Sequence, residues 1–197
     1  MHVSSGGQKR QPHTARKGST RSITYRLPED ILGELETEAA GRGISQNVLV
    51  RQILQRYLEW DRFGEKIGVI PVPRKILAVL GGGMQGGDIN LIVDALVPAI
   101  RDSVMFMKGG FDLRRCIEAL EDYMRASGIK SDHRVEGPDH QFIIQHDLGL
   151  KWSFFTEQLL KELFASFDPA LNVRFETTGN TVVATVPLGA DFSEHEY

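Results

Sequence analysis

The chain has 197 residues, 41% apolar and 25% charged, enough for a small domain plus a larger one and too apolar for wholesale disorder. No apolar run approaches the length of a membrane span, and the basic N-terminus lacks the apolar core of a secretory signal. Cys116 is the single cysteine, which excludes a disulfide framework and any cysteine-only metal knuckle and points to a reducing cytoplasm.

The net charge of −3 hides an uneven distribution. Residues 1–21 carry Lys9, Arg10, Arg16, Lys17 and Arg21 with no Asp or Glu, so the rest of the chain is clearly anionic. Residues 1–20 have almost no apolar residues and are expected to form a disordered basic arm.

From Ser22 the texture changes. Ser22-Ile23-Thr24-Tyr25-Arg26-Leu27 alternates polar and apolar with β-branched and aromatic residues, the period-two pattern of a short strand. Pro28 ends it and suits the first position of a helix, with Glu29 and Asp30 placed well for the helix dipole. Ile31, Leu32, Leu35 and Ala39 fall on one helical face, and Gly41-Arg42-Gly43 supplies a stop. Ser45 is a natural N-cap for a second helix carrying Val48, Leu49, Ile53, Leu54, Tyr57 and Leu58, followed by Trp60 and Phe63. One strand and two amphipathic helices in so little chain bury too small a core, so dimerisation is expected.

A second unit begins near Lys66. Residues 67–72 read as a strand, and residues 74–80 as a short helix after Pro71-Val72-Pro73. Asp88 suits the cap of a helix through Ile89, Ile92, Val93, Leu96 and Ile100, while residues 103–107 are ambiguous, being apolar and short. Asp112 reads as another N-cap, with Leu113, Cys116, Ile117, Leu120, Tyr123 and Met124 following at helical spacing. After Gly128 the pattern turns to β. Residues 141–146 form a short apolar strand that can pair with Arg134-Val135 across Gly137-Pro138. Trp152, Phe155, Leu159, Leu160, Leu163 and Phe167 make a broad helical stripe. Residues 173–176 and 181–186 flank Thr178-Gly179-Asn180, a hairpin signal. The predicted fold is α+β: a first domain at 21–63, an α+β domain with an antiparallel sheet at 66–188, and a loose acidic tail at 189–197.

The ordered set Ser22-Ile-Thr-Tyr-Arg-Leu-Pro-Glu-Asp30 and Gly41-Arg-Gly-Ile-Ser-Gln-Asn-Val-Leu-Val-Arg51 resembles the ribbon-helix-helix family, the β-ribbon DNA readers of the MetJ and Arc type. The likeness covers residues 21–62, under a quarter of the chain. It implies an obligate homodimer whose two strands pair into a ribbon for the major groove of double-stranded DNA. Ser22, Thr24 and Arg26 would then face the bases, with Arg26 the strongest reader because a guanidinium bonds guanine with two hydrogen bonds. The amino end of the second helix, with Ser45, Gln46 and Asn47, would meet a phosphate, and Arg16, Lys17 and Arg21 would add salt-dependent grip on the backbone.

Other signals carry less. Gly81-Gly82-Gly83-Met84-Gln85-Gly86 fits G-x-G-x-x-G, but Asp88 would repel a pyrophosphate where the helix should begin, so a turn between two helices is the reading taken. His133, His140, His146 and Asp147 are the candidate ligands if the second domain holds a metal, as in the nickel-responsive regulators. Cys116 lies on a core-facing stripe far from them, the ligand pattern of those regulators is not reproduced, and no cofactor is expected. The polar stretch His146-Asp147-Leu148-Gly149-Leu150-Lys151 sits at a strand-to-helix junction, yet no nucleophile pairs with it at a recognisable spacing, so no enzyme activity is expected.

The expectation is therefore a cytoplasmic transcriptional regulator, dimeric or paired further into tetramers, with an effector-sensing or oligomerising second domain and no membrane partner. The alternative is an antitoxin that represses its own operon and binds a toxin through its C-terminal part.

Overall fold

The computed structural model describes residues 21–189 and Phe192; Arg16 and Lys17 lie outside the described residues. The chain divides into two compact units, with the division between Leu49 and Val50 inside a helix.

In the first unit, residues 21–28 carry no regular hydrogen-bonded structure. The predicted strand is thus not formed by one chain, which has no partner to offer it. Helix α1 (Glu29–Gly41) follows Pro28, which stands just outside the helix as its N-cap and not at the first helical position. The helix ends in a Schellman turn: Ile44 N–H donates to Ala39 O at 3.0 Å and Gly43 N–H to Ala40 O at 3.1 Å. Gly43 makes this possible because it takes φ +65°, a conformation costly to any residue with a Cβ. Ser45 then caps α2 (Gln46–Arg56), its Oγ accepting from Val48 N–H at 3.3 Å.

In the second unit, α2 runs into a π-helical turn (Tyr57–Asp61) and a last turn, α3 (Arg62–Gly64). Residues 67–72 form no strand: a turn closes at Gly68, with φ +74°, and residues 69–73 belong to no helix or sheet. An apolar run becomes a strand only where a neighbouring strand accepts it, and the sheet is built wholly from residues 130–187. Helix α4 (Arg74–Gly83) and helix α5 (Gly86–Lys108) follow; Gly81–Gly83 are the last turn of α4, so the expected turn between two helices is confined to Met84 and Gln85. Asp88 is not the cap itself. It sits in the first turn of α5, and its carboxylate accepts the N–H of the N-cap Gln85 at 2.8 Å. Residues 103–107 are helical, and α5 continues to Gly109, whose φ of +73° ends it. Asp112 caps α6 (Leu113–Ser127) by accepting Arg115 N–H at 2.9 Å. Lys108 Nζ meets the buried Asp122 at 2.7 Å, so a largely desolvated ion pair ties α5 to α6.

Strands β1 (Lys130–Glu136) and β2 (Asp139–Gln145) form a hairpin over Gly137-Pro138; α7 (Leu150–Phe167) follows, then the hairpin of β3 (Arg174–Thr177) and β4 (Thr181–Pro187). All pairings are antiparallel and the order is β1-β2-β4-β3. Alternation sends Phe142, Ile144, Val182, Ala184 and Val186 to one face, where Ile117 of α6 and Leu160 and Phe164 of α7 complete the core. A second cluster joins Ile89 and Val93 of α5 to Phe155 of α7. Cys116 is buried, and desolvation pushes its thiol up to about 12, so it behaves as a small core hydrophobe. The α+β class and the antiparallel sheet of the second domain stand as expected from the sequence. Among the described residues no helix is long and apolar enough to cross a membrane.

Candidate nucleic-acid interface

Residues 21–30 are exposed throughout, so Arg21, Ser22, Thr24 and Arg26 are all accessible. Among the described residues, Arg21 and Arg26 make no intramolecular hydrogen bond or ion pair, which leaves both guanidiniums available to a phosphate or a base edge. The apolar members of the same segment are equally uncovered: Ile23 is 71% exposed, Tyr25 64% and Leu27 43%. Ile31 and Leu32 on the first turn of α1 are exposed as well, and within residues 21–49 only Ala39 and Leu49 are buried.

At the start of α2, Ser45 and Asn47 are exposed and Gln46 is half-buried. Ser45 spends its hydroxyl oxygen on capping, but the first backbone N–H groups of any helix lack intrahelical acceptors. Short polar side chains around such groups leave room for an anion to approach.

The described histidines lie in two places. His133 and His140 meet on the helix-facing side of the first hairpin, where register pairs His133 with Phe142 and Val135 with His140. His140 is fully buried, and its Nε2 lies 3.0 Å from the carbonyl of Gly189. A carbonyl only accepts, so that nitrogen carries the proton and Nδ1 is left as an acceptor for His133 Nε2–H at 2.9 Å. His133 Nδ1 in turn faces Glu121 at 3.5 Å, and its ring stacks on Phe142. The His133–His140 hydrogen bond occupies the His140 Nδ1 lone pair that a metal would need.

His146 and Asp147 stand at the other end of β2. Asp147 is exposed and pairs with Arg74 at 3.4 Å. Among the described residues no group of three His, Cys, Asp or Glu is arranged to hold a metal.

One contact escapes sequence reasoning. Ser153, fully buried in the first turn of α7, has its Oγ 3.1 Å from His146 Nε2. The seven-residue separation crosses a strand end and a loop, so no helical or strand period signals it. The pair is not a nucleophile and its base. His146 Nδ1 accepts Leu148 N–H at 3.2 Å, which places the ring proton on Nε2 and makes the imidazole the donor to Ser153. Burial holds His146 below its ordinary value, so it stays neutral near pH 7. The rest of the junction is structural too: Gly149 N–H donates to Asn180 Oδ1 at 3.0 Å, and Lys151 Nζ donates to the carbonyl of Met84.

No family model matches the chain, and no curated protein is similar to it in sequence.

Proposed function

We propose that the chain is a sequence-specific DNA-binding transcriptional regulator that acts as a homodimer through residues 21–63. Residues 66–188 would sense an effector or assemble dimers further. The observation that carries the reading is the pairing of an accessible Ser22-Thr24-Arg26 row with an interleaved apolar row, Ile23, Tyr25 and Leu27, that one chain leaves in water. A second copy of the segment would pair with the first and give those apolar side chains a shared core. Pairing also directs the alternate polar row outward as one narrow ribbon, of a width the major groove admits.

The Schellman turn and the Ser45 cap support the same reading, because they set two helices at a fixed tight junction after the strand segment. The second unit has its own buried core, which favours a folded sensor over the antitoxin alternative, in which a C-terminal tail would fold on a toxin.

Fluorescence anisotropy against the DNA upstream of the protein's own gene tests the proposal. Wild type is expected to bind one site tightly, with affinity falling steeply as salt rises. Arg26→Ala is expected to lose about 1–3 kcal/mol of discrimination against unrelated duplex, the usual worth of one bidentate base contact. Tight specific binding unaffected by Arg26→Ala removes the strand as reader, and absence of any specific site refutes the proposal.

A further inference from the structure

Strand β1 is an edge of the sheet, and six of its seven residues are exposed. On the face turned from the helices it presents Lys130, Asp132, Arg134 and Glu136, a strict alternation of sign. Its neighbour β2 does not account for that pattern. The residues opposite are Gln145, Ile143, Gln141 and Asp139 in the same order, none of them a counter-charge to its partner. Among the described residues, Arg134 and Asp132 pair at 2.8 Å along the strand, both more than half exposed, and Glu136 accepts a hydrogen bond from the uncharged Gln141 Nε2 at 3.3 Å.

The alternation is complementary to itself. In an antiparallel pairing of two β1 strands with His133 opposite His133, Lys130 faces Glu136 and Asp132 faces Arg134, twice over by symmetry. Sliding that pairing by two residues places Asp132 against Asp132 and Lys130 against Arg134, or Arg134 against Arg134 and Asp132 against Glu136. Each of these slips sets like against like, and a slip by four leaves one kind of opposite-sign pair in place of two, so the charges favour the His133 register.

The backbone agrees with this register. A two-residue turn closes on a hydrogen-bonded pair, here Glu136 with Asp139, and such pairs recur at every second residue. Even-numbered residues of β1 therefore direct their N–H and C=O at β2, while Ser131 and Val135 direct theirs to the outer edge. Those two positions face each other across the proposed axis.

We propose that β1 is a self-association edge, through which two copies of this chain join their sheets about a two-fold axis at His133. Charges on an edge strand commonly prevent association, and a run of one sign would do so here in every register. An alternating run deters foreign edges and slipped registers while admitting its own copy. This contact is separate from the ribbon pairing proposed above and does not depend on it.

Disulfide trapping in the full-length chain tests it. Ser131→Cys with Val135→Cys would bring a cysteine of each copy to a Cα separation of about 5.5 Å in a hydrogen-bonded pair, within disulfide reach. Within one chain the two positions lie about 13 Å apart along the strand, too far to join. Each single variant has the same gap between copies, and Cys116 is buried. The expected result on a non-reducing gel is a covalent dimer from the double variant and none from either single one. Adding Asp132→Arg should abolish the cross-link, and adding Arg134→Asp to that chain should restore it, which a folding defect would not do. No cross-link in the double variant, equal cross-linking in the single variants, or indifference to Asp132→Arg overturns the proposal.

Discussion

A Cβ placed on Gly81 would lie 1.9 Å from Nε1 of Trp152 and 2.4 Å from its Cδ1, while Gly82 and Gly83 have open space around theirs. The indole cannot retreat cheaply, because Trp152 Nε1–H donates to the carbonyl of Leu77 at 2.8 Å and the ring packs edge-on against the buried Phe155. One methyl group therefore has to displace either a helix or a rigid side chain that holds it. Gly81→Ala is expected to cost about 1–3 kcal/mol, the ordinary range for overpacking, even though alanine favours helix. Gly82→Ala should be neutral or stabilising by comparison. Urea midpoints of the two variants, with unchanged slopes, measure the difference. The same contact explains why the glycine run misleads as a phosphate motif: its first glycine serves close packing between α4 and α7, not a pyrophosphate.

At the scale of elements, capping chemistry was the most legible feature of the sequence. Asp112, Ser45 and Gly43 all act where local pattern places them, because a cap is satisfied by atoms within a few residues. Residues 67–72 were misread because a strand is decided by a distant partner, and so was the reach of β1, whose polar residues 130–133 join β2 despite lacking an apolar period. Charge pattern on β1 was likewise meaningless until register fixed which residues share a face. The β2-to-α7 junction combines both cases: its turn was legible, its Ser153–His146 contact was not. That junction should be acid-sensitive. Burial lowers the folded-state value of His146 below its ordinary 6.5, opposed by the charge of Asp147. Below 6.5 the unfolded chain takes up more protons than the folded one, so the stability this site contributes is complete above that value and declines as pH falls. Denaturant midpoints followed from about pH 8 to about pH 5 should drop in wild type and drop less in His146→Gln, whose amide can keep one acceptor and one donor there. Equal declines in both proteins would remove His146 as the cause.

For the whole molecule, the two units differ in what they can sustain alone. The second holds a sheet core of eight buried residues and a further cluster of three between helices, whereas residues 21–49 bury two side chains. Under the proposed ribbon pairing, folding of the first unit is tied to protein concentration, which a second unit with its own core escapes. The chain carries its own reporters for this distinction, since Trp60 and Trp152 both lie in the second unit and each packs against an aromatic partner there, Tyr123 and Phe155. Far-ultraviolet circular dichroism sees helices of both units, α1 and the start of α2 included. On dilution the dichroism should lose a fraction of its helical signal while tryptophan emission holds steady, and the first thermal transition should move up as concentration rises. Coincident, concentration-independent transitions by both probes would mean that the first unit is stable in a single chain, and the ribbon-forming dimer would lose its thermodynamic basis.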